Sequence, residues 1–256
     1  MRMWAALGRA AVIGALAWSS VPSYAEPADP CAVPGYLLFG DSLLQRVTAI
    51  VAKDHTLRIA VLGGTSSTLP GSDGAAFAYP ARLAAVLSAR LPDVKVSVTS
   101  VAKPRLSAKE MAGTIAALLL DPKPNLVIWQ TGTYDAVRGT SPEEFRAAVA
   151  DGVERLQAGG ADVVLMNMQY SPRTESVVPL GPYADAIRWV AREREVPVFD
   201  RLAIMRYWYE AGQFNLYAKT KEMKVAKSVH NCIGHELAAL IIDAAHLPAR
   251  EGAGSK

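Results

Sequence analysis

Leu57-Arg-Ile-Ala-Val-Leu-Gly-Gly-Thr-Ser-Ser-Thr68 is a short apolar run that stops on two glycines and a cluster of hydroxyls. Such a run, too short for a buried helix and closed by turn residues, reads as a buried strand. Four more runs share its character: Val94–Val98, Leu126–Trp129, Val163–Met166 and Val196–Phe199. Helical patterns lie between them. Pro80–Arg90 has apolar residues at helical spacing, and Ser141-Pro-Glu-Glu144 offers an N-cap, a proline at the first helical position and a capping-box acid. Further helices are expected from Gly181 to Arg194 and from Gly234 to His246, with Trp129 and Trp189 in the core. Alternating strands and helices imply an α/β fold, a three-layer α/β/α sandwich on a five-stranded parallel sheet. The expected divisions are a signal peptide at 1–25, an extension with a helix at 26–56, the α/β domain at 57–248 and a frayed tail at 249–256.

Ligands meet such a sheet at the loops leaving the carboxyl ends of its strands, which begin here at Gly63, Ser100, Gln130, Asn167 and Asp200. The turn after the first strand carries Ser66. A nucleophilic serine needs a tight turn at that place, so that its hydroxyl projects from the sheet and its N–H faces a developing oxyanion. Gly40-Asp41-Ser42-Leu43 offers a second serine, but Asp41 reads as the N-cap of a helix through Leu43, Val47, Ile50 and Val51, ahead of the sheet.

In order and spacing, Leu57 to Leu247 resembles the SGNH/GDSL hydrolases. Gly64-Thr65-Ser66-Ser67-Thr68 is similar to their Gly-Asp-Ser-x-Thr block, with Ser66 at the nucleophile position and Thr65 where Asp is usual. Gly132-Thr133-Tyr134-Asp135 is similar to the Gly-x-Asn-Asp block, and Lys227-Ser228-Val229-His230 to Asp-x-x-His. The resemblance implies a flavodoxin-like SGNH hydrolase fold and a serine esterase that needs no cofactor. It makes Ser66 the nucleophile, His230 the base, and Ser66, Ala102 and Tyr134 the oxyanion donors. Gly64, Thr65, Ser67, Gly132 and Asp135 are supporting residues. Two departures stand out. Tyr134 replaces the oxyanion Asn, and Lys227 replaces the acid, a loss that costs about 10⁴-fold where nothing substitutes for it. A backbone carbonyl or another acid, Asp135 among them, is left to orient the ring. Lys227 facing inward would disfavour protonation of a nearby imidazole.

Bulk properties bound the function. Arg2, Arg9, the apolar run Ala10–Trp18 and the small residues around Ala25 form an export signal, with a retained anchor as the alternative. Removing 1–25 takes two arginines and no acid, so the net charge of +3 becomes +1, which attracts neither nucleic acid nor an anionic surface. No stretch is long and apolar enough for a stable membrane span. The expected location is periplasmic or secreted, where Cys31 and Cys232 oxidise to a disulfide unless they remain buried thiols. His230, Cys232 and His235 match no zinc framework, so no metal is expected. His55, His235 and His246 read as surface or helix-end residues. Arg105, Arg138 and Arg173 are either solvated or placed to bind an acyl or sugar carboxylate. The substrate class is a small-molecule or glycan ester, an O-acylated carbohydrate or a small lipid. The alternatives are a binding protein that keeps the fold without the reaction, and an acyltransferase using the same residues.

Overall fold

The computed structural model describes residues 29–38, 42–217 and 223–250. Residues 1–28, where the export signal is expected, lie outside them, as do Gly40, Asp41 and the end of the tail. Five strands, β1 (Thr56–Gly63), β2 (Lys95–Ala102), β3 (Leu126–Gln130), β4 (Asp162–Met166) and β5 (Val198–Phe199), form one sheet in the order β2-β1-β3-β4-β5, parallel throughout. The helices in chain order are α1 (Gln45–Asp54), α2 (Gly74–Phe77), α3 (Tyr79–Arg90), α4 (Ala108–Ala112), α5 (Ile115–Leu118) and α6 (Thr133–Arg138). They continue with α7 (Pro142–Ala158), α8 (Pro172–Glu175), α9 (Gly181–Glu193), α10 (Arg201–Glu210) and α11 (Lys224–Ala244). Helices α3 and α11 pack together on one side of the sheet, while α4, α7 and α9 pack together on the other. The strand order reverses between β1 and β3, the switch point where a crevice opens in folds of this kind.

Strands β3 and β4 are buried at every residue, as a sheet covered on both faces requires. Ser141 accepts from Glu144 N–H (3.1 Å) to start α7, as the local sequence predicts. Helix α1 starts later than expected. Its first residue is Gln45, and the cap comes from elsewhere in the chain: the Asp162 carboxylate at the start of β4 accepts from Val47 N–H (2.9 Å). A tertiary carboxylate thus takes the place of the local Asp41 cap. Trp129 is core as expected, but Trp189 is 43% exposed and carries the Arg146 guanidinium over its ring at 4.5 Å, so its face is shielded by a cation instead of by the core.

Helix α11 is longer than its sequence signals, and His230 lies within it, not ahead of it. Val225, Val229, Cys232 and Ile233 continue the apolar spacing backwards from Leu237. Where α11 crosses α3, the two run side by side in the same direction: Gly234 meets Leu83, and one turn earlier His230 meets Tyr79. A Cβ at Gly234 would stand 2.9 Å from Leu83 N and 2.6 Å from Arg82 Cβ. Because backbone cannot yield cheaply, Gly234→Ala is expected to destabilise the fold by about 1–3 kcal/mol, read as a lowered thermal midpoint. An unchanged midpoint would show that the two helices separate freely. Cys31 and Cys232 are joined in a disulfide, which fastens the segment 29–38 to α11.

Candidate active site

The turn after β1 is built around Gln130, the last residue of β3. Its Oε1 accepts from Gly64 N–H (3.3 Å), Ser66 Oγ (3.1 Å) and Ser67 Oγ (2.8 Å). The Gly64 amide, which can only donate, fixes the oxygen end of the Gln130 amide toward the turn. Of the two glycines, Gly63 is the one that sterics demand: a Cβ there would sit 2.3 Å from Ser67 Oγ, whereas one at Gly64 would meet nothing closer than 3.9 Å. Ser67 is buried and shares its hydroxyl with Tyr79 OH (3.0 Å), while Thr65 is exposed. Ser66 lies between them, half-buried, and its N–H has no acceptor among the described residues.

Arg201, which sequence reasoning passed over, reaches into this turn. It is the first residue of α10, whose start is held by Asp200 and Asn167. The Asp200 carboxylate accepts from Ala203 N–H (3.0 Å) and from Asn167 Nδ2 (2.7 Å), and Asn167 Oδ1 accepts from Leu202 N–H (2.9 Å). So placed, Arg201 donates to Ser66 O (3.2 Å), Ser66 Oγ (3.4 Å) and Gln169 Oε1 (3.4 Å). Its side chain is 1% exposed, and burial pulls its pKa down to about 10, leaving it charged at neutral pH. A cation at a helix N-terminus opposes the macrodipole, and that conflict at a sheet-end loop was the available signal.

His230 is buried, and its Nδ1 accepts from Tyr79 N–H (3.0 Å), the first amide of α3. The ring therefore caps that helix, and its neutral form carries the hydrogen on Nε2. Burial, with the Arg201 charge in second place, pushes its pKa down to about 3. Lys227 has no part in this, because its Nζ turns to Asp73 (2.9 Å) and the Phe77 ring (3.8 Å). No hydrogen bond links Ser66 to His230. They are brought together through Arg201, which touches Ser66 and lines a pocket of about 180 Å³ with His230, Gln169, Met205 and Val229.

The other expected residues stand further off. Lys103 N–H, not that of Ala102, donates to Gly63 O (3.0 Å), so alternation along the strand turns Ala102 N–H away from β1. Gly132 takes φ +102°, which favours glycine, and starts α6. Tyr134 lies on α6 with Arg138 over its ring (5.5 Å). Asp135 is buried and accepts twice from Ala108 N–H (3.2 and 3.0 Å), so its carboxylate caps α4 and not the imidazole; burial raises its pKa. Arg105, Arg138 and Arg173 are exposed, as are His55, His235 and His246. Ser42 borders a wider cleft of about 1010 Å³ shared with Asp162 and Pro197, at the amino ends of β4 and β5, and no histidine is among the residues lining it. No group of three or more metal-ligating side chains occurs among the described residues.

The profile of the Non-GDSL lipase-like family matches residues 30–247. Esterase TesA of Pseudomonas aeruginosa is 33% identical over 91 residues, a stretch covering 34% of this chain and 45% of that protein. Among solved structures, a crystal structure of TesA aligns with TM-score 0.57 at 17% identity, covering 73% of this chain and 99% of the other. An acetylxylan esterase, Axe2 of Geobacillus stearothermophilus, aligns with TM-score 0.57 at 14% identity, covering 77% and 97%. The esterase EstA of Pseudoalteromonas sp. gives 0.54 at 15%, covering 73% and 97%. At such identities, these structures share the three-layer fold with this chain.

Proposed function

The chain belongs to the Non-GDSL lipase-like family, and on that premise we propose that it is an exported ester hydrolase in which Ser66 attacks a small acyl carbonyl. One observation carries the reading. The half-buried Ser66 stands at the sheet's switch point with a free N–H and a guanidinium on its hydroxyl, and that guanidinium lines the pocket containing His230. The Ser66 N–H and Arg201 are the groups best placed to receive the oxyanion, with the charge of Arg201 offsetting the Tyr134 that stands where the SGNH/GDSL hydrolases have Asn. A pocket of about 180 Å³ suits a short acyl group such as acetyl. An O-acylated carbohydrate or a short-chain lipid therefore remains the substrate class. Export is supported by the N-terminal pattern and by the disulfide.

His230 is the base of this reading, and it serves at a cost. A ring nitrogen must be unprotonated to take the serine's proton, yet Nδ1 is committed to Tyr79 N–H. Turning the ring leaves that amide unsatisfied, a penalty of about 1–3 kcal/mol, or roughly 5–150-fold in rate. The enzyme is accordingly slow. The same commitment, with no Ser66–His230 hydrogen bond, favours the second reading, a protein that binds its ligand without turnover.

Release of p-nitrophenol from p-nitrophenyl acetate separates the two. With its pKa pushed down to about 3, His230 is protonated only below that pH. The base therefore survives acidification, and the rate is expected to stay level between about pH 5 and 8. No turnover would leave the binding protein standing. A fall centred near 6.5 would put an ordinary, solvated imidazole in the reaction.

A further inference from the structure

The pocket beside Ser66 holds a charge that no carboxylate among the described residues balances, and only the Tyr79 ring, 5.8 Å from the guanidinium, faces it. Arg201 has no ion pair among the described residues, since the nearby Asp200 carboxylate is taken by Arg188 Nε (2.6 Å). All its acceptors are neutral, two of them at 3.4 Å, and its Nε has no partner. Withdrawing a guanidinium from water costs several kcal/mol, and the positive end of α10 adds to the local potential. A neutral ester would leave that charge standing. The second donor is His230: with Nδ1 occupied by Tyr79 N–H, its Nε2 presents a hydrogen, not a lone pair. Around these two, Met205, Leu216, Val225 and Val229 supply apolar wall.

We propose that this pocket is a receptor for a small aliphatic carboxylate, with the charge of Arg201 and the Nε2 hydrogen of His230 on the carboxylate and the short alkyl chain against Met205, Leu216 and Val229. The receptor does not depend on ester hydrolysis, because Ser66→Ala keeps both donors. The carboxylate has two sources, the acid released by hydrolysis or an anionic end carried by the substrate itself.

Calorimetric titration of the full chain at neutral pH, with butyrate and with neutral butyramide, tests the receptor. Butyrate is expected to bind at least about tenfold more tightly than butyramide to both the wild type and Ser66→Ala. Arg201→Met should abolish that preference, and Arg201→Lys should keep part of it. Equal binding of the two ligands to the wild type overturns the proposal without any variant having to fold, and an intact preference in a folded Arg201→Met overturns it too. If no ester is turned over, these titrations still decide the receptor, so its failure and that of the hydrolase are told apart. A second arm assigns the source by comparing kcat/KM for mono-p-nitrophenyl succinate and p-nitrophenyl butyrate. A preference of about tenfold for the succinate that Arg201→Met removes assigns the anion to the substrate. Equal values, with butyrate a competitive inhibitor, assign it to the released acid.

Discussion

Ser66→Ala is expected to lower kcat/KM for p-nitrophenyl acetate by about 100-fold or more while leaving the thermal midpoint nearly unchanged. Removing the serine of a complete triad costs about 10⁶-fold; on the proposed reading, with Lys227 in place of the acid, the acid's share of about 10⁴-fold is already missing, so about 100-fold remains to be lost. Stability changes little because the Ser66 hydroxyl is half-buried and one of three donors on Gln130 Oε1, which keeps the other two. Its neighbour behaves differently. Ser67 is 1% exposed and bonded to both Gln130 and Tyr79, so Ser67→Ala should cost about 1–3 kcal/mol of stability by leaving buried groups unpaired. Ser42→Ala, at the far end of the sheet, should leave the rate unchanged. Kinetics on folded Ser66→Ala that matched the wild type would remove Ser66 from the reaction, and a loss confined to Ser42→Ala would move the chemistry to the other cleft.

The double variant Cys31→Ser/Cys232→Ser should lose about 5 kcal/mol of stability on the chain-entropy account, because the bond closes a loop of sequence separation 201. For a domain of this size, that lowers the thermal midpoint by roughly 10–20 °C. Contacts that depend on the bond add to the effect: both cysteines are buried, and Trp208 Nε1 donates to Cys31 O (3.1 Å), so the segment 29–38 lies over an indole that is otherwise sealed. Thermal unfolding followed by circular dichroism checks this. A shift of less than about 2 °C would mean that those contacts hold the segment without covalent help, and that the unfolded chain gains little from its release.

All five strands, the α7 cap and the position of Ser66 after the first strand were legible because each is written within a few consecutive residues: a buried run, a Ser-Pro-Glu-Glu string, a glycine turn. What escaped is set by partners distant in the chain. The start of α1 depends on Asp162, 115 residues from the Val47 amide that it caps. His230 was expected ahead of a helix that instead begins at Lys224, since Lys227 and Ser228 look like loop residues until Asp73 is seen to pair with the lysine. Asp135 was offered as a substitute acid, yet its carboxylate is consumed by Ala108 N–H. Arg201 drew no notice because arginines are ordinarily solvated, and only the folded chain places this one with 1% exposure among neutral acceptors.

The amide of Tyr79 also bears on any attempt to repair the triad by mutation. Writing the acid of the SGNH/GDSL Asp-x-x-His block at position 227 would aim a carboxylate at Asp73, where a lysine now bonds, and would offer it to an imidazole whose inner nitrogen already has a donor. The added acid could hold the ring as a triad acid does, by accepting a hydrogen from Nδ1, only if α3 surrendered its cap. A restored motif and a restored reaction are therefore separate engineering problems in this chain, and the second begins in a helix that the motif does not include.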